Sequence, residues 1–393
     1  MKRSARSSTE PAFILLLAFL FLIDVSIAAC YILGTIILAM FLLHLLRGGK
    51  FPILPSYNYF FAAYIACTLL ATVFSVDRAA SIRDNKELLI FLLLPIYAWL
   101  LDSPKRVRLS LWTVLASAVF SALAGIFTIW RQGIVLNDRL TGFTSHWMTY
   151  SGLLMIPFIF FAVRLVLRHD DKRAAAAVSL ALAAMLVAIA FSLTRNVWLG
   201  IAVALALFLV FFKPRYFLAL APLFLALALL APPAVKSRAL SIVDLQDESN
   251  RDRIYMAWSG WKIFRDHPWT GVGSHNIAKV ITEDEARYRH PQAKNINLHL
   301  HNNFLQILAE RGILALASFV LACLFIILQL LQALKKQAGE RRAIAAAVLF
   351  AFVGFLVAGM FEYNFGDSEI KFILFYFISL PFLAWKGEAH VQT

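Results

Sequence analysis

Apolar runs that could each cross a bilayer as a helix, which takes about 20 residues, lie at residues 11–29, 30–46, 54–74, 88–101, 110–130 and 147–167. Six more follow at 174–193, 197–212, 216–234, 312–333, 343–361 and 372–385. The pattern predicts an all-α, polytopic integral membrane protein of about twelve transmembrane helices. One long polar break, Val235 to His301, interrupts the series. Three segments result: 1–234 with helices 1–9, 235–303 as a large outer loop containing short helices, and 304–393 with helices 10–12. Asp24 divides the first apolar stretch, and the fourth and twelfth runs are short for a full crossing, so eleven spans also fit. The start, Met1-Lys2-Arg3 and an apolar run reaching Ile27-Ala28-Ala29-Cys30, resembles a signal peptide. The run continues to Leu46, whereas a secretory apolar core spans about 7–15 residues, so no cleavage is expected.

Composition agrees: 61% of the 393 residues are hydrophobic and mean hydropathy is +0.74, against about 45–50% apolar residues in soluble domains. Charge then orients the chain. When alternate loops are assigned to opposite sides, one side holds 19 of the 37 Lys and Arg residues and six acids, a net of +13 of the total +14. By the positive-inside rule that side, with both termini, is expected to be cytoplasmic. The excess of base thus reads as a topology signal. A pI near 9.8 would otherwise raise nucleic-acid binding, but no basic stretch forms a groove-sized patch with interleaved aromatics, and no nucleic-acid partner is expected. Cys30, Cys67 and Cys323 all lie in apolar runs, which argues against disulfides and a cysteine metal site.

Chemistry is expected in the outer loop, since long loops in compact proteins are commonly functional. Ser249 with Asp252 three residues on has the capping-box pattern, predicting a helix from there to Pro268. Ile254, Trp258, Trp261 and Arg265 would share one face of it, at the membrane interface. Thr270-Gly271-Val272-Gly273 predicts a turn, and Thr282 with Glu285 a second capped helix ending at Pro291. The loop closes in Asn297-Leu298-His299-Leu300-His301-Asn302-Asn303. Asn302 or Asn303 suits the N-cap of a helix beginning at Phe304, leaving His301 at the mouth of the next span. On a helix, two histidines at i and i+2 would point to opposite sides, so no shared metal is expected and one histidine acts alone.

Arginines at the outer edge add candidates. Arg195, in Thr194-Arg195-Asn196-Val197-Trp198, sits between two apolar runs, where it meets either an anionic ligand or lipid phosphates and a helix end. The same two readings apply to Arg139 in Asn137-Asp138-Arg139-Leu140-Thr141-Gly142. The acidic outer loop Glu362-Tyr363-Asn364-Phe365-Gly366-Asp367 could orient His301 or bind sugars, with Asp367 as its candidate residue. Glu283-Asp284-Glu285 reads as the first turn of a helix, favoured there by the helix dipole.

Three motifs together resemble one family: Thr194-Arg195-Asn196-Val197-Trp198, Arg253 fourteen residues before the His267-Pro268 of H-P-W-T-G-V-G, and H-N-N-F-L-Q-I-L-A-E-R-G-I from His301. The family is the O-antigen ligase and polymerase superfamily. The resemblance spans about residues 190–365; the first half agrees only in span count and topology. It implies a glycosyltransferase of the bacterial inner membrane with a periplasmic active site in the large loop. The donor would be a glycan on undecaprenyl diphosphate and the acceptor a sugar hydroxyl of lipid A-core, completing lipopolysaccharide. Polymerases use another lipid-linked repeat as acceptor, and protein O-oligosaccharyltransferases belong to the same superfamily.

Family roles carry over to His301 as base and to Arg195 and Arg253 at the diphosphate. Arg251 stands in reserve for Arg253; Arg139, His299, Asn302 and Asp367 are further substrate-binding candidates. Imidazole suits proton removal near neutral pH, and guanidinium meets diphosphate in a bidentate, permanently charged way. A base and a clamp without a nucleophile point to an inverting, single-displacement transfer. Lacking a D-x-D motif, the chain is expected to need no metal or other cofactor. A transporter is the rival class, but carriers place ionisable residues in mid-span, and only Asp24 and His44 approach that. A scaffold for envelope assembly would need neither base nor arginines.

Overall fold

A computed structural model describes residues 2–132, 139–168, 171–217 and 232–384, with side chains from Thr9 onward. Helices fill these residues, and no strand occurs among them. In chain order they are α1 (Lys2–Leu22), α2 (Ile27–Leu46), α3 (Tyr57–Val73), α4 (Arg78–Asp84), a 3-10 segment (Asn85–Leu92), α5 (Leu93–Leu100), α6 (Pro104–Gln132), α7 (Trp147–Leu167), α8 (Lys172–Phe191), α9 (Arg195–Phe212) and α10 (Pro214–Phe217). The outer loop contributes α11 (Pro233–Leu240), α12 (Glu248–Asp266), α13 (Ile277–Glu283) and α14 (Glu285–Tyr288). The chain closes with α15 (Asn303–Lys336), α16 (Gly339–Gly359) and α17 (Ser368–Ser379).

Seven of the described helices are long and apolar enough to cross a membrane: α2, α6, α7, α8, α9, α15 and α16. Thr9–Leu22 and Tyr57–Val73 are shorter apolar helices. The first apolar stretch breaks after Leu22, where Ser26 caps α2 by accepting from the Ala29 amide at 3.4 Å. Expected span nine, 216–234, lies largely outside the described residues. Of the two runs that are short for a crossing, the twelfth is enclosed by protein. Nearly every residue of α17 is buried, and three tyrosine hydroxyls hold it: Tyr97 and Tyr57 donate to the carbonyls of Phe372 and Ile378, and Tyr376 pairs with Ser110 at 2.8 Å. A helix enclosed in this way need not match the bilayer thickness.

Contacts sort the loops by end. Residues expected outside meet one another: Ser75 and Ser81 bond to Val272 and Ser274, Arg195 to Ser241, and Arg253 to Phe361. Residues expected inside meet at the other end, as with Arg106 and Glu10, Arg164 and Glu340, and Arg341 and Leu383. In each of these contacts both partners belong to loops expected on the same side.

The outer loop is folded, with corrections to its helix starts. Asp247, not Ser249, caps α12, accepting from the Asn250 amide at 3.2 Å. Thr282 lies inside α13, bonded to the Ala278 carbonyl, and Asp284 caps α14. The capping box matched the residue types, but a competing acid two residues earlier took the cap. Along α12, Met256, Ser259, Gly260 and Ile263 are buried as it packs on α15. Ile254 and Trp261 stay exposed on the other side, while Trp258 packs edge-on against His290.

The Gly271–Gly273 turn inserts at a break in α15. Val272 and Gly273 donate to the carbonyls of Ala309 and Glu310, and Ile313 donates to Pro268. At the break Gly312 adopts φ 77°, ψ −179°, a region that side chains essentially exclude. A Cβ there would collide with the Trp269 carbonyl. The nine residues before the break belong to the outer assembly; the remainder, from 313, is the expected tenth span.

Candidate active site

Asn302 and Asn303 fix the end of the outer loop. Asn302 caps α15, accepting from the Leu305 amide at 2.9 Å, and its side-chain amide donates to the Met360 carbonyl at 2.8 Å. Asn303, fully buried, donates to Asn364 Oδ1 at 2.6 Å and accepts from the Phe365 amide at 3.0 Å. These bonds stitch the histidine segment to the acidic loop after α16. His301, between them, is held at φ 48°, a conformation costing about 1–3 kcal/mol for a non-glycine residue unless its surroundings impose it. Its Nδ1 lies 2.8 Å from Glu362 Oε2 and 2.9 Å from Oε1.

A buried carboxylate can only accept, so Nδ1 carries the proton in neutral His301 and Nε2 is left as the basic nitrogen. Burial pushes the Glu362 carboxyl up, but the hydrogen bond from His301 and the charges of His301, His299 and Arg253 outweigh it and hold the carboxyl below its ordinary range. Burial pulls His299 down to about 4 against the opposing pull of Glu362, so its imidazole is neutral at pH 7. Asp367 accepts from Thr149 Oγ1 at 3.0 Å. Burial and the charge of Glu362 push its carboxyl up to about 7.

The expectation that His299 and His301 point apart is corrected. It assumed a helix, whereas this segment precedes α15 and has no helical hydrogen bonds. The rings meet edge-on with centroids 4.3 Å apart, and His299 Nδ1, 3.9 Å from Glu362 Oε1, has no hydrogen-bond partner. His299, His301 and Glu362 offer three ligand atoms within 4.8 Å of one another. Two imidazoles and a carboxylate are a ligand set that a zinc-type ion accepts, so chelation is a direct test of how this group works. Glu283 and Glu285 stand apart on the surface, paired with Lys279 and Arg289.

Beside this pair a cavity of about 120 Å³ is lined by Arg139, Arg195, Arg238 and Arg253, with Phe361 joining it to Glu362. Arg195, in the first turn of α9, is 8% exposed; it donates to the Ser241 carbonyl and Oγ at 2.7 and 2.8 Å and to Asp247 at 3.0 Å. Arg253 donates to the Phe361 carbonyl at 3.1 Å and to Ser249 Oγ at 2.7 Å. Arg139 lies over the Trp147 ring at 4.8 Å. Arg238 donates to the Leu193 carbonyl at 3.3 Å and reaches Asp247 at 3.8 Å.

No acid lines the cavity among the described residues. Burial and then the charges of Arg195 and Arg139 pull the Arg238 guanidinium down to about 10. Burial lowers Arg139 and Arg253 too, with Arg195 adding repulsion in both. Guanidiniums packed closely enough to depress one another, without a matching number of carboxylates, make a site for a multiply charged anion.

The structure thus brings together Arg139, Arg195, Arg253, His299, His301 and Asn302, with Asp367 at the acidic loop. Arg251 does not line the cavity; Arg253 does. Asn137 and Asp138, flanking Arg139 in the sequence motif, lie outside the described residues. The loop expected to orient His301 does so, through Glu362 and not Asp367. Arg238 went unread, although it had the same signal as Arg195, an arginine at the edge of an apolar run where the positive-inside rule disfavours it.

Residues 180–320 match the family model described as O-Antigen ligase. The match contains Arg195, Arg238, Arg253 and both loop histidines, while Arg139, Glu362 and Asp367 fall outside it. No curated protein matches the chain.

Proposed function

We propose that this chain, a member of the O-antigen ligase and polymerase superfamily, is the ligase that moves a glycan from undecaprenyl diphosphate to a sugar hydroxyl of lipid A-core. The observation that carries the reading is the four-arginine cavity beside the His301–Glu362 pair. The diphosphate lies among the arginines and the acceptor hydroxyl against His301. Nε2 takes the hydroxyl proton as the oxygen attacks the anomeric carbon; the bond from that carbon to the diphosphate oxygen breaks, and its electron pair leaves on the diphosphate. One displacement inverts the anomeric centre. Glu362 fixes the imidazole and balances its charge once protonated. His299, neutral and with Nδ1 unpartnered, and Asp367 are suited to the hydroxyls of the acceptor.

Arginine charge takes the place of a divalent cation, so transfer by purified protein should persist in EDTA. If activity vanished in the chelator and returned with zinc or magnesium, His299, His301 and Glu362 would have to be read as ligands instead. The site is proposed to face the periplasm. An impermeant thiol reagent applied to spheroplasts should then label a Cys placed at the exposed Gln246 and miss one at Lys336; the opposite pattern would reverse the topology.

The function itself is tested in a strain lacking the gene, by lipopolysaccharide gel. A ligase predicts loss of every capped species while lipid-linked polymer accumulates. Capping with single repeats would instead identify a polymerase, and unchanged lipopolysaccharide would remove both.

A further inference from the structure

The start of α7 lines the arginine cavity, and its other end lines a second, larger one of about 310 Å³. With 21 residues at about 1.5 Å each, α7 separates the two by roughly 30 Å, the thickness of a hydrocarbon core. This second cavity opens where α6, α8 and α16 begin, at the end of the bundle that carries the excess of base. We propose that it binds the phosphodiester headgroup of an anionic phospholipid, with an acyl chain lying along its apolar lining.

Part of the lining is cationic. Arg164, in the last turn of α7, and Arg168, just past its end, share Glu340, Arg164 Nε at 2.9 Å and Arg168 Nε at 2.7 Å. The Arg168 approach lacks hydrogen-bond alignment, and neither Arg168 Nε nor Glu340 Oε2 has a hydrogen-bond partner. Arg108, on α6, also lines the cavity; it is exposed and makes no ion pair among the described residues. Of the two acids in the lining, Glu340 is shared as stated, and Asp171 is engaged at the α8 N-terminus, accepting from the amides of Arg173 and Ala174. Among the described residues, Arg108, without an ion pair, and the unpartnered Nε of Arg168 leave guanidinium donors shaped for phosphate oxygens.

The rest of the lining is largely apolar, with Leu111, Trp112, Phe161 and Val178 among it. Trp112 is 39% exposed, as suits an indole at the level of lipid headgroups. A free phosphate would leave these apolar side chains unused, whereas a phospholipid covers them as well as the guanidiniums. Basic pockets between transmembrane helices at a headgroup layer are the expected receptors for such lipids. The assignment rests on neither the transfer reaction nor the direction in which the chain faces.

The test uses full-length protein in neutral detergent, read by native mass spectrometry during titration. Short-chain phosphatidylglycerol should be retained, while phosphatidylcholine of equal chain length is not and inorganic phosphate at equal concentration does not displace it. Arg108→Gln removes an exposed, unpaired side chain and should leave the fold intact, yet weaken phosphatidylglycerol retention roughly tenfold, the scale of one charge-assisted bond. Arg168→Gln should do the same. Equal retention of phosphatidylcholine, unchanged retention in both variants, or displacement by inorganic phosphate would each overturn the proposal, the last by showing a simple anion site.

Discussion

Replacing His301 by alanine should lower glycan transfer by about 10²–10⁴-fold, the usual contribution of a positioned general base, while the protein still inserts and binds donor. Truncation removes Nε2 and leaves the capping bonds of Asn302 and Asn303 in place, since those run through their own side chains. Alanine at the left-handed φ of 48° meets the same backbone demand as histidine, so destabilisation should be modest. Glu362→Gln keeps an acceptor for Nδ1 and loses the charge that balances the imidazolium. It should therefore reduce kcat with KM nearly unchanged, the pattern of an interaction made chiefly in the transition state. His299→Ala should keep measurable transfer, because its neutral imidazole makes no hydrogen bond to Glu362. Rate measurements on detergent-purified protein with lipid-linked donor and core acceptor decide the matter. Wild-type kcat in His301→Ala would remove the base, and a dead His299→Ala beside an active His301→Ala would exchange the two roles.

The uneven legibility of the site has physical causes. Long apolar runs are read from local composition alone, which is why α6, α7, α8, α9 and α16 fall close to their expected runs. Helix caps are also local, and Asn302 was legible for that reason. Where two caps competed, as at Asp247 and Ser249, proximity in sequence did not decide the winner. The partner of His301 was harder to find, because Glu362 lies 61 residues away and is brought in by asparagine bonds between two loops. Spacing misled in the opposite sense at His299: the i, i+2 rule is sound for a helix, and the chain there is not helical. The buried Glu310–Arg311 pair, linked onward to Asp84 and Tyr363, falls within the motif that begins at His301, but its partners are distant in sequence. Asp84 and Tyr363 reach it from two separate loops.

Among the arginines, Arg195 should tolerate substitution least, and lysine should not rescue it. Its guanidinium reaches Ser241 and Asp247 at once, a fork that a single ammonium cannot reproduce. Arg195→Lys should therefore lose roughly 10²–10³-fold in kcat, the scale seen when one preorganised donor to a developing anion is removed. Arg253→Lys should behave similarly, since it would give up the bonds to Phe361 and Ser249 that aim the side chain. Arg238 gives the sharper test, because no motif pointed to it. Its guanidinium is repelled by Arg195 and Arg139, a cost that persists in the free protein and is relieved when diphosphate enters. Arg238→Gln should thus leave the empty protein as stable or more so, while weakening donor binding and transfer together. Arg251→Gln, two residues from Arg253 but outside the cavity, should retain near-wild-type transfer. Thermal melts with and without undecaprenyl diphosphate, set beside transfer rates, separate these outcomes. Equal losses in Arg251→Gln and Arg238→Gln would mean that general basicity of the loop, not this cavity, holds the diphosphate.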